Sequence, residues 1–422
     1  MKVLVVGNGG REHALAWKLL QSPTVEKIFC APGNGGTALL ENCENVPIAV
    51  NDFASILQLV REKGIELVVV GPELPLSLGI ADYLQPHGIR VFGPSRQGAM
   101  IEASKSWAKE LMKEGGIPTA SSAVFSDRES AKAYIRQQGA PIVVKADGLA
   151  AGKGVIVAKT ETEALGAVDY LFDQQFSKLV IEEFLTGQEV SVLAVTDGNT
   201  IRPLIPSQDH KQIGEGDTGA NTGGMGAYAP TPILNENLSK RVYEEILQPA
   251  LTQLQKYNID YVGVIYAGLM ITPEGNPKVL EFNCRFGDPE TQAVLSLLKT
   301  PLADVLLACT EKRLAGLPPL QWDDGFAVCV VLAAGGYPGS YRKGDVITGI
   351  DLAEKEGVVV FHAGTKLVNG QLLTDGGRVL GVTGKGNTLQ EAIDLTYRAV
   401  AKIHFPDMYY RRDIGHRVLS RR

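Results

Sequence analysis

Four short apolar runs, each closed by a glycine or a proline, punctuate the first hundred positions, and no other feature restricts the fold so tightly. They are Val3–Val6, Lys27–Ala31, Glu66–Val70 and Arg90–Phe92. Val and Ile dominate them, and β-branched side chains are stiff at χ1 and favour extended backbone. Amphipathic stretches such as Glu12–Leu20 and Phe53–Lys63 lie between the runs. Apolar strands alternating with helices predict an α/β unit over residues 1–103, a parallel sheet with right-handed crossovers.

The chain has 422 residues, more than one core accommodates, so further packed units must follow. Ser104-Lys105-Ser106-Trp107 opens a helix that runs to Glu114 and stops at Gly115-Gly116-Ile117-Pro118. Residues 122–190 read strand, helix, strand, glycine loop, strand, helix, strand, a small α+β unit. Residues 191–325 hold more strands, the glycine-rich Gly214–Gly226, and helices near Leu238–Lys256 and Thr291–Leu298. Together with 104–121 they form a central core. Pro318-Pro319 marks a boundary, and 326–422 is strand-rich and closes with the helix Thr388–Ile403.

A net charge of −6 gives no bulk reason to expect nucleic acid or a membrane as partner. The five cysteines, Cys30, Cys43, Cys284, Cys309 and Cys329, form no CxxC pair and lie far apart, which points to reduced thiols rather than a disulfide scaffold or zinc site. The N-terminal apolar run is too short for a signal peptide, and no run is long enough to span a bilayer. A cytoplasmic protein is expected. Arg411-Arg412 and Arg421-Arg422 read as a solvated tail.

Three loops follow strand ends in the first unit: Gly7-Asn8-Gly9-Gly10-Arg11-Glu12, Pro32-Gly33-Asn34-Gly35-Gly36 and Gly71-Pro72-Glu73-Leu74. Ligands of open α/β sheets sit at that edge, and N–H groups at a helix start hold anions. Either these loops bind a ligand, with Asn8, Gly9, Gly10 and Glu73 as contacts, or they are tight turns and Glu73 a helix-start carboxylate. Glu12 stands where the dinucleotide fingerprint requires its third glycine, which argues against a nicotinamide enzyme.

Pro141–Lys145 reads as a buried strand ending in a lysine. It runs into Ala146-Asp147-Gly148-Leu149-Ala150-Ala151-Gly152-Lys153-Gly154, after which a second strand begins. A glycine loop between two strands is a flap able to close over phosphates, with Gly148, Gly152, Lys153 and Gly154 near them. The spacing is not that of a P-loop. A buried lysine needs an anion, either a nucleotide phosphate or a neighbouring carboxylate. Downstream, Glu182-Glu183-Phe184-Leu185 joins two strands and is suited to clamp a flat base, while Glu189 is placed to accept ribose hydroxyls. The alternative for Glu182 and Glu183 is a solvated strand end.

Lys278–Glu290 is the most informative segment. On a strand, Glu281 and Asn283 share one face, roughly 7 Å apart. Carboxylate and amide oxygens suit a hard divalent cation held against phosphates. Arg285, Gly287 and Asp288 follow at once, and a guanidinium there suits a carboxylate or a phosphoryl group. Pro206–Gln212 leads into Gly214–Gly226, a polar substrate loop or a disordered surface loop, with Asp209, Lys211, Gly224 and Met225 as its candidates. His210 alone reads as a surface hydrogen-bonding residue.

A lysine before a glycine flap, an EEFL hinge and an E-x-N strand, in that order, resemble the ATP-grasp superfamily. Within it the chain resembles the glycinamide ribonucleotide synthetase (phosphoribosylamine–glycine ligase) family. The matching stretches are GNGGREHALAWKL from Gly7, GPELPLSLGIAD from Gly71, VVKADGLAAGKGV from Val143, SQDHKQIGEGDTGANTGGMGAYAP from Ser207, LEFNCRFGDPETQ from Leu280, AAGGYPGSYRKGD from Ala333 and FHAGT from Phe361. The resemblance implies a Rossmann-like domain, an ATP-grasp pair with a mobile lid, and a C-terminal domain. It implies ligation of glycine to 5-phosphoribosylamine at the expense of ATP, with Mg²⁺ or Mn²⁺, by a monomer. Lys105 and Lys145 would bind ATP phosphates, Glu182–Leu185 adenine, Glu189 ribose, and Glu281 and Asn283 the metal. Arg285 would hold the glycine carboxylate or the transferring phosphoryl group, and Asp288 or Asp209 the glycine ammonium. One departure stands out. The strand before E-x-N, Gly263–Ile271, carries no acidic residue, so the metal has fewer protein ligands and the number of ions stays open.

Overall fold

The computed structural model describes residues 1–150, 152 and 154–419. Lys153 and Arg421-Arg422 lie outside the described residues. The four N-terminal apolar runs form parallel strands, Lys2–Gly7, Lys27–Pro32, Leu67–Val70 and Arg90–Phe92, with the helices Gly10–Leu20 and Phe53–Lys63 between them. A fifth strand, Cys43–Asn45, joins one edge. It is too short and polar to stand out in the sequence. The first strand lies third in the sheet, with later strands on both sides, so the order reverses where its C-terminal end meets that of Leu67–Val70. That is the switch point at which such sheets form a crevice. Cys30 and Cys43, expected to lie apart, bring their sulfurs to 3.7 Å across neighbouring strands.

Ser104 caps the next helix, Lys105–Glu114, by accepting a hydrogen bond from the Trp107 N–H. Residues 122–183 then fold into a four-stranded antiparallel sheet covered by the helices Arg128–Gln138 and Glu161–Asp173. This unit has an apolar core of its own, including Ile135, Val144, Leu171 and Ile181. A second antiparallel sheet holds Gln188–Thr196, Gly263–Ile271 and Pro277–Asn283. The helical stretch from Glu236 to Lys256 is interrupted by a π turn at Tyr243–Leu247, just before Pro249, whose missing N–H breaks the α ladder.

Gln208–Asp209 leaves the central sheet and pairs with Gly226–Ala229, which pairs in turn with Phe326–Ala333, in a sheet that continues through Arg378–Gly386 to Val359–His362. The sheet of the C-terminal region is therefore continuous with strands that flank the polar loop. Among the described residues no helix is long and apolar enough to cross a membrane.

Candidate active site

Two walls of opposite charge face each other between the small α+β unit and the central sheet. On the first wall, Lys145, next to last in the strand Ile142–Ala146, has Nζ 3.0 Å from Glu182 Oε2 and donates to the Leu280 carbonyl, also at 3.0 Å. Lys109, one helical turn after Lys105, reaches the other oxygen of Glu182 at 3.3 Å. Glu182 is only 3% exposed, so it is no solvated strand end but a carboxylate shared by two lysines. Two ammonium groups against one carboxylate leave a surplus positive charge. Lys105 adds another; burial lowers its pKa, with Glu281 pulling the other way. Its Nζ donates to the Gly148 carbonyl at 2.9 Å and so ties the helix to the flap. Asp147 is fixed to the same helix by the Ser104 and Ser106 hydroxyls, and the Gly154 carbonyl closes the flap by accepting from the Ala146 N–H at 2.7 Å. Gly152 lies against the backbone of Thr222 in the polar loop.

On the second wall stand Glu281 and Asn283. Their partners in the ladder, Gly268 and Tyr266, are themselves two residues apart, so both side chains emerge on one face; Leu280 is the unpaired residue of a bulge. A side chain at Gly268, directly opposite, would crowd Glu281. Lys211 lies 3.7 Å from Glu281 and 3.3 Å from Glu189. Here two carboxylates face one ammonium, leaving surplus negative charge. Burial works against the charge of Glu281, but Lys211, Lys145 and Lys105 outweigh it and hold the carboxyl below its usual range. An ionised carboxylate, an amide oxygen and excess negative charge make a donor set that fits a hard divalent cation.

The hinge follows directly. Glu183 accepts from the Ser121 N–H and pairs with Lys278, and Phe184 is 39% exposed beside Leu185 on the connection.

Arg285 has less freedom than the sequence suggested. Its Nε lies 3.3 Å from Glu73, its Nη2 3.0 Å from Glu102, and its Nη1 donates to the Phe286 carbonyl at 3.1 Å. Nη2 also reaches Asn283 Oδ1 at 3.4 Å. The guanidinium thus ties the N-terminal loop at Glu73 to the E-x-N strand. Asp288 is equally committed. It accepts from the Arg11 N–H at 3.2 Å and from Gln292 at 2.9 Å, and lies 3.7 Å from Arg378. Burial opposes its charge, but Arg378 and Arg11 keep its pKa below the usual value. The start of the first helix already holds two carboxylates, since the Gly9 N–H donates to Glu12 at 2.6 Å. Gly9 and Gly10 pack against Glu12, Asp288 and Gln292, which leaves Asn8 as the exposed member of that trio. Gly287 packs against Glu290, whose carboxylate accepts from the Tyr266 hydroxyl.

The polar loop is ordered. His210, expected at the surface, is 0% exposed; its N–H donates to the Gly226 carbonyl and burial pushes its pKa down to about 4. Gly224 and Met225 are buried too, and the backbone of Met225 is engaged by His210 and Val331. Asp209 differs. Among the described residues no cationic group comes within ion-pairing distance of its carboxylate. Burial raises its pKa to about 7, with Lys211 opposing and Glu290 and Glu189 adding to the rise. Lys109, Glu102, Glu290 and Arg378 went unnoticed in the sequence; only Lys109 left a signal, its spacing of one turn from Lys105.

The sequence models of phosphoribosylglycinamide synthetase match along the chain: the N domain over residues 1–102, the ATP-grasp (A) domain over 103–291 and the C domain over 327–417. The chain belongs to the phosphoribosylglycinamide synthetase family. A phosphoribosylamine–glycine ligase from Nostoc is 63% identical over 425 residues, covering 100% of both chains. The crystal structure of a phosphoribosylamine–glycine ligase from Thermotoga maritima, 35% identical, superposes with a TM-score of 0.84 over 98% of this chain and 100% of that one. The biotin carboxylase domain of Hydrogenobacter thermophilus 2-oxoglutarate carboxylase, solved with MgADP, is 18% identical with a TM-score of 0.70 over 97% of this chain and 91% of that chain, a likeness of fold alone. This member of the phosphoribosylglycinamide synthetase family therefore has the ATP-grasp architecture, whose members use ATP and divalent cations.

Proposed function

We propose that the protein joins glycine to 5-phosphoribosylamine, with ATP converted to ADP and phosphate, as a step of purine biosynthesis. The observation that carries this reading is the pair of oppositely charged walls, Lys145–Glu182–Lys109 against Glu281–Lys211–Glu189, joined where Lys145 meets the Leu280 carbonyl. A triphosphate and its cation are the complement of such a pair.

Lys105 and Lys145 bind the phosphates, the connection at Glu182–Leu185 takes adenine, and Glu189 takes the ribose. Glu281 and Asn283 hold Mg²⁺ or Mn²⁺, which when bound neutralises phosphate charge. A carboxylate is a poor electrophile, so an oxygen of the glycine carboxylate first attacks the γ-phosphorus of ATP and expels ADP. The phosphoribosylamine nitrogen then attacks the acyl carbon of the glycyl phosphate, forming the amide and releasing phosphate, and the nitrogen gives up a proton. The chain contributes position and charge rather than a nucleophile. The unit of residues 122–190 acts as the lid, and its flap excludes water while the acyl phosphate exists.

Asp209, whose carboxylate has no ion pair among the described residues, receives the glycine ammonium; Asp288 is occupied by Arg11, Gln292 and Arg378. Arg285 works through Asn283 and Glu73, and the N-terminal loops, with Asn8 and Glu73 at their rim, take the phosphoribosylamine. We read the enzyme as a cytoplasmic monomer with small-molecule partners only. ADP release, measured with phosphoribosylamine generated in place and glycine compared with other amino acids, tests the reading. It requires release that depends on both glycine and the amine, and release that is indifferent to glycine overturns it.

A further inference from the structure

The C-terminal segment from Tyr409 to Arg417, whose Arg411-Arg412 pair was expected in a solvated tail, instead grips the loop that carries Asp209 and Lys211. Arg411 is 0% exposed. It donates to the Gln212 carbonyl at 3.1 Å, while Arg417 donates to the Asp209 carbonyl at 3.0 Å. The two guanidiniums thus take the carbonyls on either side of His210 and Lys211. Both converge on one carboxylate, Asp217, at 3.1 Å from Arg411 and 2.7 Å from Arg417. Asp217 holds a left-handed φ of 58° in the turn of the hairpin, a conformation that needs support in a residue other than glycine. Asp413 supplies it by accepting from the Gly216 N–H at 2.8 Å. The Gly415 N–H donates to His210 Nε2 at 3.1 Å, which orients the ring between the two segments.

His210, Asp217 and His416 also bring one potential ligand atom each to within 4.8 Å of one another. A cation there would face two guanidiniums already neutralised by Asp217 and Asp413, so the cluster is an ion-pair clasp and not a metal site.

We infer that Arg411 and Arg417, closed on Asp217, are positioning residues that hold Asp209 and Lys211 in place for the amino-acid substrate. The inference rests on the proposed reading, in which Asp209 meets the glycine ammonium. A guanidinium fork is suited to this task because it serves a carboxylate and a carbonyl at once in fixed geometry. The nucleotide contacts on the helix from Lys105, at Lys145 and at the hinge lie elsewhere, and the clasp reaches Glu189 and Glu281 only through Lys211.

Steady-state kinetics of Arg417→Ala in the full-length enzyme test this, with Arg417→Lys as the milder change should the first not fold. Removing a positioning contact typically costs roughly ten- to a hundredfold in rate. We expect KM for glycine to rise by about tenfold or more and kcat to fall, while KM for ATP rises clearly less, since the clasp reaches Glu189 and Glu281 only through Lys211, and Tm is nearly unchanged, with Arg417→Lys intermediate. Unchanged glycine kinetics overturn the inference. So does an equal rise of both KM values accompanied by a fall in Tm, which would make the clasp only a structural strut. Wild-type enzyme that releases ADP without need of glycine would instead sink the functional reading, whatever the variants do.

Discussion

Glu182 is where the chemistry of single residues is most exposed to test, because it is buried and shared by two lysines at once. Lys145→Ala leaves the carboxylate with Lys109 alone and, on the proposed reading, removes a phosphate ligand. Apparent KM for ATP should rise about ten- to a hundredfold, the scale expected for a charge-assisted contact in a shielded site. An unchanged KM and turnover would remove Lys145 from the nucleotide site. Glu281→Ala should lower turnover by about a hundredfold or more, with an unaltered far-ultraviolet spectrum, since a half-exposed carboxylate in a strand contributes charge rather than packing. Full activity in that variant would exclude Glu281 from cation binding. Asp209 supplies a pH dependence. With its pKa raised to about 7 by burial and by Glu290 and Glu189, it is neutral below that value and charged above it. Since an ammonium needs the charged form, kcat/KM for glycine should fall about tenfold per pH unit below roughly pH 7. Asp209→Asn should abolish that acid limb along with most glycine binding. A limb that persists in the variant belongs to another group.

At the scale of elements, the first strand–loop–helix shows how the chain departs from a dinucleotide fold. Glu12, at the third fingerprint position, folds back into the loop, where Gly9 and Arg11 each hold one oxygen at 2.6 Å. Gly7 and Gly71 are required because a Cβ on either would collide with the Glu12 side chain. Gly71→Ala should therefore destabilise by roughly 1–3 kcal/mol, the usual cost of overpacking a closed site. The penalty should shrink in a Glu12→Ala background, and a chemical-denaturation cycle that finds simple additivity would refute the coupling. Elements of this kind were legible from sequence wherever local chemistry decides them. Runs such as Val3–Val6, rich in β-branched residues and closed by glycine, read as buried strand, Ser104 announces its helix, and alternation alone places Glu281 beside Asn283. What stayed hidden depends on partners distant in the chain. Glu182, His210 and Arg411 look like surface groups until Lys109, Gly226 and Asp217 are brought to them. No local pattern reveals that Gln208–Asp209 pairs into the sheet of the C-terminal region.

Across the whole molecule, Arg378 joins what the sequence keeps apart. It stands on the strand Arg378–Gly386 of the C-terminal sheet, donates to the Asp288 carbonyl at 2.8 Å and to the Gly224 carbonyl at 3.3 Å, and pairs with the Asp288 carboxylate. Asp288 in turn receives the Arg11 N–H of the first helix. One guanidinium thereby holds the C-terminal sheet, the polar loop and the turn after the E-x-N strand together, and reaches the N-terminal sheet through one more bond. Burial opposes its charge, but Asp288 outweighs that and raises its pKa, so it stays charged at every working pH. Arg378→Ala leaves Asp288 buried with only neutral donors, a loss of about 3–5 kcal/mol for a broken buried pair. Arg378→Lys keeps the charge but not the fork. If the regions are coupled through this point, the lysine variant should keep most of its stability and still lose about tenfold or more in kcat/KM for both glycine and phosphoribosylamine. A lysine variant with wild-type kinetics would mean that the C-terminal sheet supports the fold at Arg378 without setting the geometry of the site.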